Sequence, residues 1–199
     1  TPSVVEGGTI PYLPAAIAKR EENRAGWPKT DPEAKCYMPG IPRANYMDKP
    51  FQIFHSDKAV FFAYEYAGAV RNVFLEDPGE APLDSWMGQS VGRWDGDTFV
   101  VEVSGFNDAT WFDRSGNHHS DTMKVTERYM KRAPDQLEIT YTLDDPRTYS
   151  RPWTARAQYR WAPDLRFSEY VCEENNRNKP DASGKLRHRQ RKSSWPEIT

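Results

Sequence analysis

Trp86-Met-Gly-Gln-Ser-Val-Gly-Arg-Trp-Asp-Gly-Asp-Thr-Phe-Val-Val-Glu-Val103 is the stretch on which the fold turns. Asp95-Gly96 is a strong signal for a two-residue hairpin. Beyond it Phe99, Val101 and Val103 alternate with Val100, Glu102 and Ser104. That period of two marks a strand with one buried face. The stretch therefore reads as two antiparallel strands, Trp86–Trp94 and Asp97–Val103.

The same pattern continues on both sides. Upstream, Phe51–Phe54 and Ala59–Tyr66 are aromatic and β-branched, separated by the turn His55-Ser56-Asp57-Lys58. Ala67-Gly68 then returns the chain into Ala69–Leu75. Downstream, Met123–Lys131 alternates and turns through Ala133-Pro134-Asp135-Gln136 into Leu137–Leu143. Trp153–Trp161 and Phe167–Cys172 form a last pair through Ala162-Pro163-Asp164. These segments predict an all-β domain, an antiparallel meander of about eight or nine strands over residues 51–178. A meander of this length must bury one face and protect its edges, and closure into an up-and-down, calycin-like barrel does both. A two-sheet sandwich is the alternative.

Residues 1–50 read differently. They hold eight of the chain's 16 prolines, and this proline density rules out a helical bundle. One short helix is expected from Pro14 to about Arg24, where Pro14 suits a first-turn position and AAIAKREEN is rich in helix formers. The apolar residues of this arm, Ile10, Tyr12, Leu13, Ile17, Trp27, Tyr37, Met38 and Ile41, predict that it lies against the body. Residues 179–199 form a third region with six cations and two anions. With almost no apolar content before Trp195, it should not fold alone. It is either a solvated extension or an arm for an acidic partner or anionic surface.

Composition sets outer limits. Apolar residues are 37% of the 199, with aromatics at 13%, so the apolar material is concentrated in large side chains that can still build a core. No run approaches the length of a transmembrane helix. A net charge of −2 excludes a generally basic nucleic-acid binder. Cys36 and Cys172 are the only cysteines and have no metal-ligand spacing. A disulfide between them is expected, a pair of buried thiols being the alternative. The start at Thr1, without Met, fits a removed signal peptide and an exported, oxidised protein, periplasmic or secreted.

Chemistry is sought first in Gly105–Ser120, which is too long for an ordinary hairpin loop; long structured loops often carry function. It holds Asp108, Trp111, Phe112, Asp113, Arg114, His118 and His119. An acid–base site at the barrel mouth would use His119 for proton transfer, since imidazole titrates near neutrality. Asp113 or Asp108 would orient it, and the Ser120 hydroxyl could fix it. Otherwise the aspartates cap turns and Arg114 pairs with one of them. A metal on His118, His119 and Asp121 is disfavoured, because adjacent strand residues point to opposite faces; no metal and no cofactor is expected. Glu127 shares a face with Val125 and Tyr129. If that face is inward the carboxylate needs a partner, for which Arg156, Arg160 or a ligand could serve. The alternative is an outward salt-bridge row. Trp111, Arg128, Tyr170, Glu174 and Asn176 complete the candidate ligand contacts, with Tyr170, Cys172 and Glu174 on one face of the last expected strand. GxSxG, P-loop, HExxH and dinucleotide motifs are absent.

Several stretches together carry a resemblance: Cys36-Tyr-Met-Pro-Gly-Ile-Pro-Arg43, Ser85–Thr98, Gly105-Phe-Asn-Asp108, Asp113-Arg-Ser-Gly116, His119-Ser120, Val125-Thr-Glu-Arg128 and Tyr170-Val-Cys-Glu-Glu-Asn-Asn176. Over roughly residues 30–178 the chain resembles a large family of exported soil-bacterial proteins with no established activity. The resemblance implies export and counterparts of both cysteines; it supplies no reaction. Three readings follow. The first is a small-molecule-binding barrel for an apolar or aromatic ligand. The second is a cofactor-independent lyase, isomerase or hydrolase using His119, Asp108/Asp113 and Glu127. The third is an extrinsic subunit of an exported or membrane-attached assembly, with a protein partner on the N-terminal arm or basic tail. An apolar lumen favours the first, a His119–Asp113–Glu127 cluster around a cavity the second, and a filled lumen with an apolar exterior patch the third.

Overall fold

The computed structural model describes residues 2–5 and 8–172. The basic tail, Glu174 and Asn176 lie outside the described residues. Eight strands follow the alternating segments: β2 (Phe51–His55), β3 (Ala59–Tyr64), β4 (Val70–Phe74), β5 (Gln89–Asp95), β6 (Thr98–Ser104), β7 (Lys124–Ala133), β8 (Gln136–Asp144) and β9 (Trp153–Arg160). A two-residue strand β1 (Ser3–Val4) comes from the N-terminus. They form one nine-stranded sheet in the order β1-β9-β8-β7-β6-β5-β4-β3-β2.

The register keeps one face apolar across the sheet, because directly opposed residues point to the same side. Phe99 faces Tyr129, which faces Ile139; Val101 faces Glu127, which faces Tyr141; Val103 faces Val125, which faces Leu143. Phe62, Val73, Phe106, Tyr141 and Ile139 are fully buried on this side. Each such side chain contributes roughly 1.5–3 kcal/mol through burial. Gly92 belongs to the same layer: a Cβ there would stand 2.5 Å from the Phe99 ring and 2.7 Å from Val73. The missing side chain leaves room for the Phe99 ring and Val73 to pack over β5.

Three expectations need correction. The sheet is not closed into a barrel. Its end strands β1 and β2 do not pair, and a ring contact between Phe51 of β2 and Tyr159 of β9, with centroids 5.4 Å apart, lies across the gap. The segment expected as a last strand, Phe167–Cys172, is not one. It leaves the sheet and ends at Cys172, disulfide-bonded to Cys36. The β9 edge it would have covered is taken by Ser3 and Val4, opposite Arg156 and Ala155. Finally, the meander is not antiparallel throughout. β4 and β5 pair in parallel at Val73–Ser90 and Phe74–Val91. A parallel step needs a crossover, which residues 75–88, with Pro78, Gly79 and Pro82, provide.

The arm fills what sheet closure would have filled. Helix α1 (Pro14–Gly26) begins at a first-turn proline, and Pro28 follows its end. Ile41 and Ala44, 1% and 2% exposed, join the sheet's core. Arg43 makes a two-pronged, buried pair with Asp31, both contacts 2.9 Å, and also donates to the Trp111 carbonyl. The disulfide then ties the chain beyond β9 to this arm.

Candidate functional site

The long loop is built as a seat for the arm. Gly116 lies at φ +79°, and a Cβ there would come within 2.7 Å of the Arg20 carbonyl oxygen and the Arg24 nitrogen of α1. Asn23 donates to the Gly116 carbonyl, Tyr46 to the Phe112 carbonyl and Tyr12 to Asn117 Oδ1. The loop's length therefore serves packing between arm and sheet.

His119 lies inside this packing, 3% exposed. Its ring stacks on Phe112 at 5.3 Å and meets Phe106 edge-on at 5.7 Å. Nδ1 is 2.9 Å from the Ser120 carbonyl oxygen, which can only accept, so Nδ1 carries the proton. Nε2 then accepts from the Thr110 hydroxyl at 2.6 Å. Burial lowers the imidazole pKa, more than the Ser120 carbonyl and Asp145 raise it. Both nitrogens are engaged, and neither partner is Asp108 or Asp113. Asp108 is exposed. Asp113 accepts from the Ser115 N–H and from Asn117 Nδ2, as a turn-capping carboxylate does. The Ser120 hydroxyl donates to Asp145 and not to the histidine. Burial opposes ionisation of Asp145, but hydrogen bonds from Ser120, Thr148 and the Arg147 N–H hold its pKa below the usual range.

Glu127 points inward, and its partner is Arg71 on β4, not Arg156 or Arg160. Arg71 donates to Glu127 Oε2 at 2.5 Å, with the two side chains 2% and 0% exposed. Asn45 from the arm donates to Oε1 at 2.8 Å and Tyr129 to Oε2 at 3.2 Å; Tyr64 donates to Asn45, and Arg71 to Ser90. Burial lowers the Arg71 pKa, but Glu127 opposes it and leaves it well above the ordinary value. Every group in this network has a partner, so its chemistry is that of a cross-link through the middle of the core. Arg71 had a signal in the sequence: it shares the inward face of β4 with Val73.

The other candidates are dispersed. Arg128 faces outward and pairs with Asp95 at 2.9 Å. Trp111 is buried, 6% exposed. Tyr170 packs on Tyr66 with Lys49 over its ring, on no strand face. Asp121 pairs with Arg147, away from any shared ligand set with the histidines. Among the described residues no group of three or more His, Cys, Asp or Glu side chains is placed to hold a metal ion.

What sequence reasoning missed is a cavity of about 340 Å³ between arm, loop and sheet. Tyr141 and Leu143 of β8 and Trp153 and Ala155 of β9 form its floor, Tyr12, Tyr46 and Phe112 its aromatic walls, and Arg20, Asp113 and Asn117 a polar end. Tyr12 links those features, with its hydroxyl on Asn117 at 2.9 Å and Arg20 6.0 Å from its ring centroid. Alternation already placed Tyr141, Leu143 and Trp153 on strands. The arm's contribution had no such signal, because extended proline-rich chain has no periodicity from which to read a face. Comparison of the chain with protein-family models, curated proteins and solved structures found no match.

Proposed function

We propose that the protein is an exported small-molecule-binding protein and that an apolar or aromatic ligand occupies the cavity between arm and sheet. The observation that carries the reading is the cavity itself. Its volume, about 340 Å³, lies within the range of small-molecule sites, and its lining pairs a majority of aromatic and aliphatic groups with a few polar ones at one end. The disulfide supports an oxidising compartment. Binding is favoured over catalysis because the expected proton-transfer group and its glutamate are occupied elsewhere: His119 is sealed between Phe112 and Phe106, and Glu127 is committed to Arg71, while Asp113 at the cavity's polar end is engaged by the Ser115 N–H and Asn117.

The test is titration with toluene, naphthalene and benzoate, followed by tryptophan fluorescence, since Trp153 forms part of the wall. At least one probe should bind saturably and 1:1, with Kd of about 10 µM to 1 mM, the range open to ligands this small. Ile10→Trp, which fills the cavity from the half-buried arm side, should abolish that binding while the circular dichroism spectrum is unchanged. Absence of saturable binding by all three probes, or binding indifferent to Ile10→Trp, would refute the assignment.

A further inference from the structure

Of the sheet's two edges, one is partly covered and one is bare. Ser3 and Val4 lie along β9, whereas β2, Phe51-Gln-Ile-Phe-His55, has a neighbour only in β3. Edge strands are commonly blunted by charge, proline or a bulge. This one holds no Asp, Glu, Lys, Arg or Pro and pairs with β3 without a bulge. Phe51 is half-buried, its ring against Tyr159; Gln52, Ile53, Phe54 and His55 are all exposed, Ile53 at 45% and Phe54 at 53%.

The pairing with β3 fixes which backbone groups are free. Opposed residues of antiparallel strands alternate between pairs that exchange both backbone hydrogen bonds and pairs that exchange none. The Glu65 N–H donates to the Pro50 carbonyl and the Ser56 N–H to the Ala59 carbonyl. Even-numbered residues therefore face β3, and Phe51, Ile53 and His55 turn their N–H and C=O groups outward from the edge. Among the described residues these outward groups have no hydrogen-bond partner. Pro50, which has no N–H to give, falls in the inward set.

We propose that this edge is a dimer interface, occupied by β2 of a second copy of the chain, antiparallel about a two-fold axis at Ile53. Two observations select that partner. With Ile53 opposite the same residue of the second copy, Phe51 stands opposite His55, so every outward residue meets an outward residue and six backbone hydrogen bonds close. The same register sets Asp48 opposite Lys58 and Lys49 opposite Asp57, each pairing occurring twice, as a two-fold axis requires. These charges lie just before β2 and in the turn that ends it. A slip of one residue either way would set Asp48 opposite Asp57 or Lys49 opposite Lys58, and like charges directly opposed are destabilising. Lys49 already reaches Glu65 at 3.3 Å, so the exposed Asp48 and Lys58 carry more of the discrimination.

The experiment is sedimentation equilibrium of the full chain at low salt, over a concentration range from micromolar to a few hundred micromolar. A monomer–dimer equilibrium is expected, with Kd on the order of 10 µM for an interface this small. Ile53→Pro removes the central outward N–H and spares the bonds to β3, since proline is tolerated at a sheet edge. It should weaken association at least about tenfold with the circular dichroism spectrum unchanged, two of the six bonds being lost. Lys58→Asp sets like charges opposite each other and should weaken the dimer by about threefold to tenfold. Adding Asp48→Lys to Lys58→Asp should restore the parental Kd, a recovery that damage to the fold would not produce. A chain monomeric over the whole range, association beyond the dimer, a dimer indifferent to Ile53→Pro, or no recovery in the double charge variant would each overturn the β2 interface.

Discussion

Replacing Glu127 by Gln tests whether the buried network is a structural cross-link. The substitution keeps the shape but removes the carboxylate that pairs with Arg71, whose side chain is 2% exposed. Breaking a buried ion pair from one side strands a charge in the core, at a cost of about 3–5 kcal/mol. Domains are stable by only about 5–15 kcal/mol in total, so a large part of the margin goes. In a chain of this size the loss corresponds to a fall in Tm of roughly 6–20 °C. Urea denaturation followed by tryptophan fluorescence measures it directly. The double replacement Arg71→Met with Glu127→Leu should recover much of the loss, because an apolar pair avoids the desolvation of two ions. What stays lost comes from Asn45 and Tyr129, left with unmet polar atoms at about 1–3 kcal/mol each at most. The reasoning fails if Glu127→Gln costs under 1 kcal/mol, or if the two single losses simply add in the double variant. Near-parental stability of Glu127→Gln would also return Glu127 to the list of residues free to do chemistry.

Three further outcomes are expected. His119→Ala should destabilise by about 2–4 kcal/mol, since it opens a hole between Phe112 and Phe106 and orphans the Thr110 hydroxyl and Ser120 carbonyl. The same residue gives a pH dependence: its folded pKa lies below the unfolded value of about 6.5, so the unfolded state takes up more protons. Its contribution is fully present above pH 6.5 and declines as pH falls through that value, by no more than about 1.4 kcal/mol per pH unit; a urea midpoint as stable at pH 5.5 as at pH 7.5, after subtraction of the His119→Ala profile, contradicts this. Gly116→Ala should loosen the arm, because the new Cβ meets α1 backbone at 2.7 Å and Gly116 sits at φ +79°. The readout is faster limited proteolysis within residues 1–50 at nearly unchanged sheet circular dichroism; parental cleavage rates would show that the arm is seated by other contacts.

The strands were legible because sheets leave a simple trace. Asp95-Gly96 and the alternation of Phe99, Val101 and Val103 predict β5 and β6 to within a few residues. The same logic put Glu127 on one face with Val125 and Tyr129 and required a partner for it if that face is inward, but left an outward salt-bridge row equally open. Closure, by contrast, depends on which residues meet at the edges. Nothing local distinguishes Phe167–Cys172 as a strand from the same residues drawn off by a cross-link, and Ser3–Val4 is too short to show a period. The parallel β4–β5 step escaped because Pro78, Gly79 and Pro82 mark a break without saying where the chain goes next. His119 misled because loop length and polar density look the same whether a loop is open to solvent or clamped under an arm. The difference lies in Gly116 and Asn23, whose contact spans parts of the chain that only the tertiary fold brings together.

The seating of the arm sets an order of assembly. Consecutive strands from β5 to β9 can zip from neighbour to neighbour, and even the long β6–β7 connection adds little closure entropy, because that cost grows only slowly with loop length. The arm is made first and seated last. Ser3 and Val4 have no edge to join until β9 exists, Asn45 no carboxylate until β7 does, and Cys36 waits for Cys172. A ribosome or a translocation pore releases these residues in the opposite order to the one in which the fold can use them. Until the sheet is assembled, Ile41 and Ala44 lack the core they are buried in, and the sheet's apolar face lacks their cover. Docking of the arm is thus the longest-range step of assembly, the kind of contact whose closure entropy slows folding.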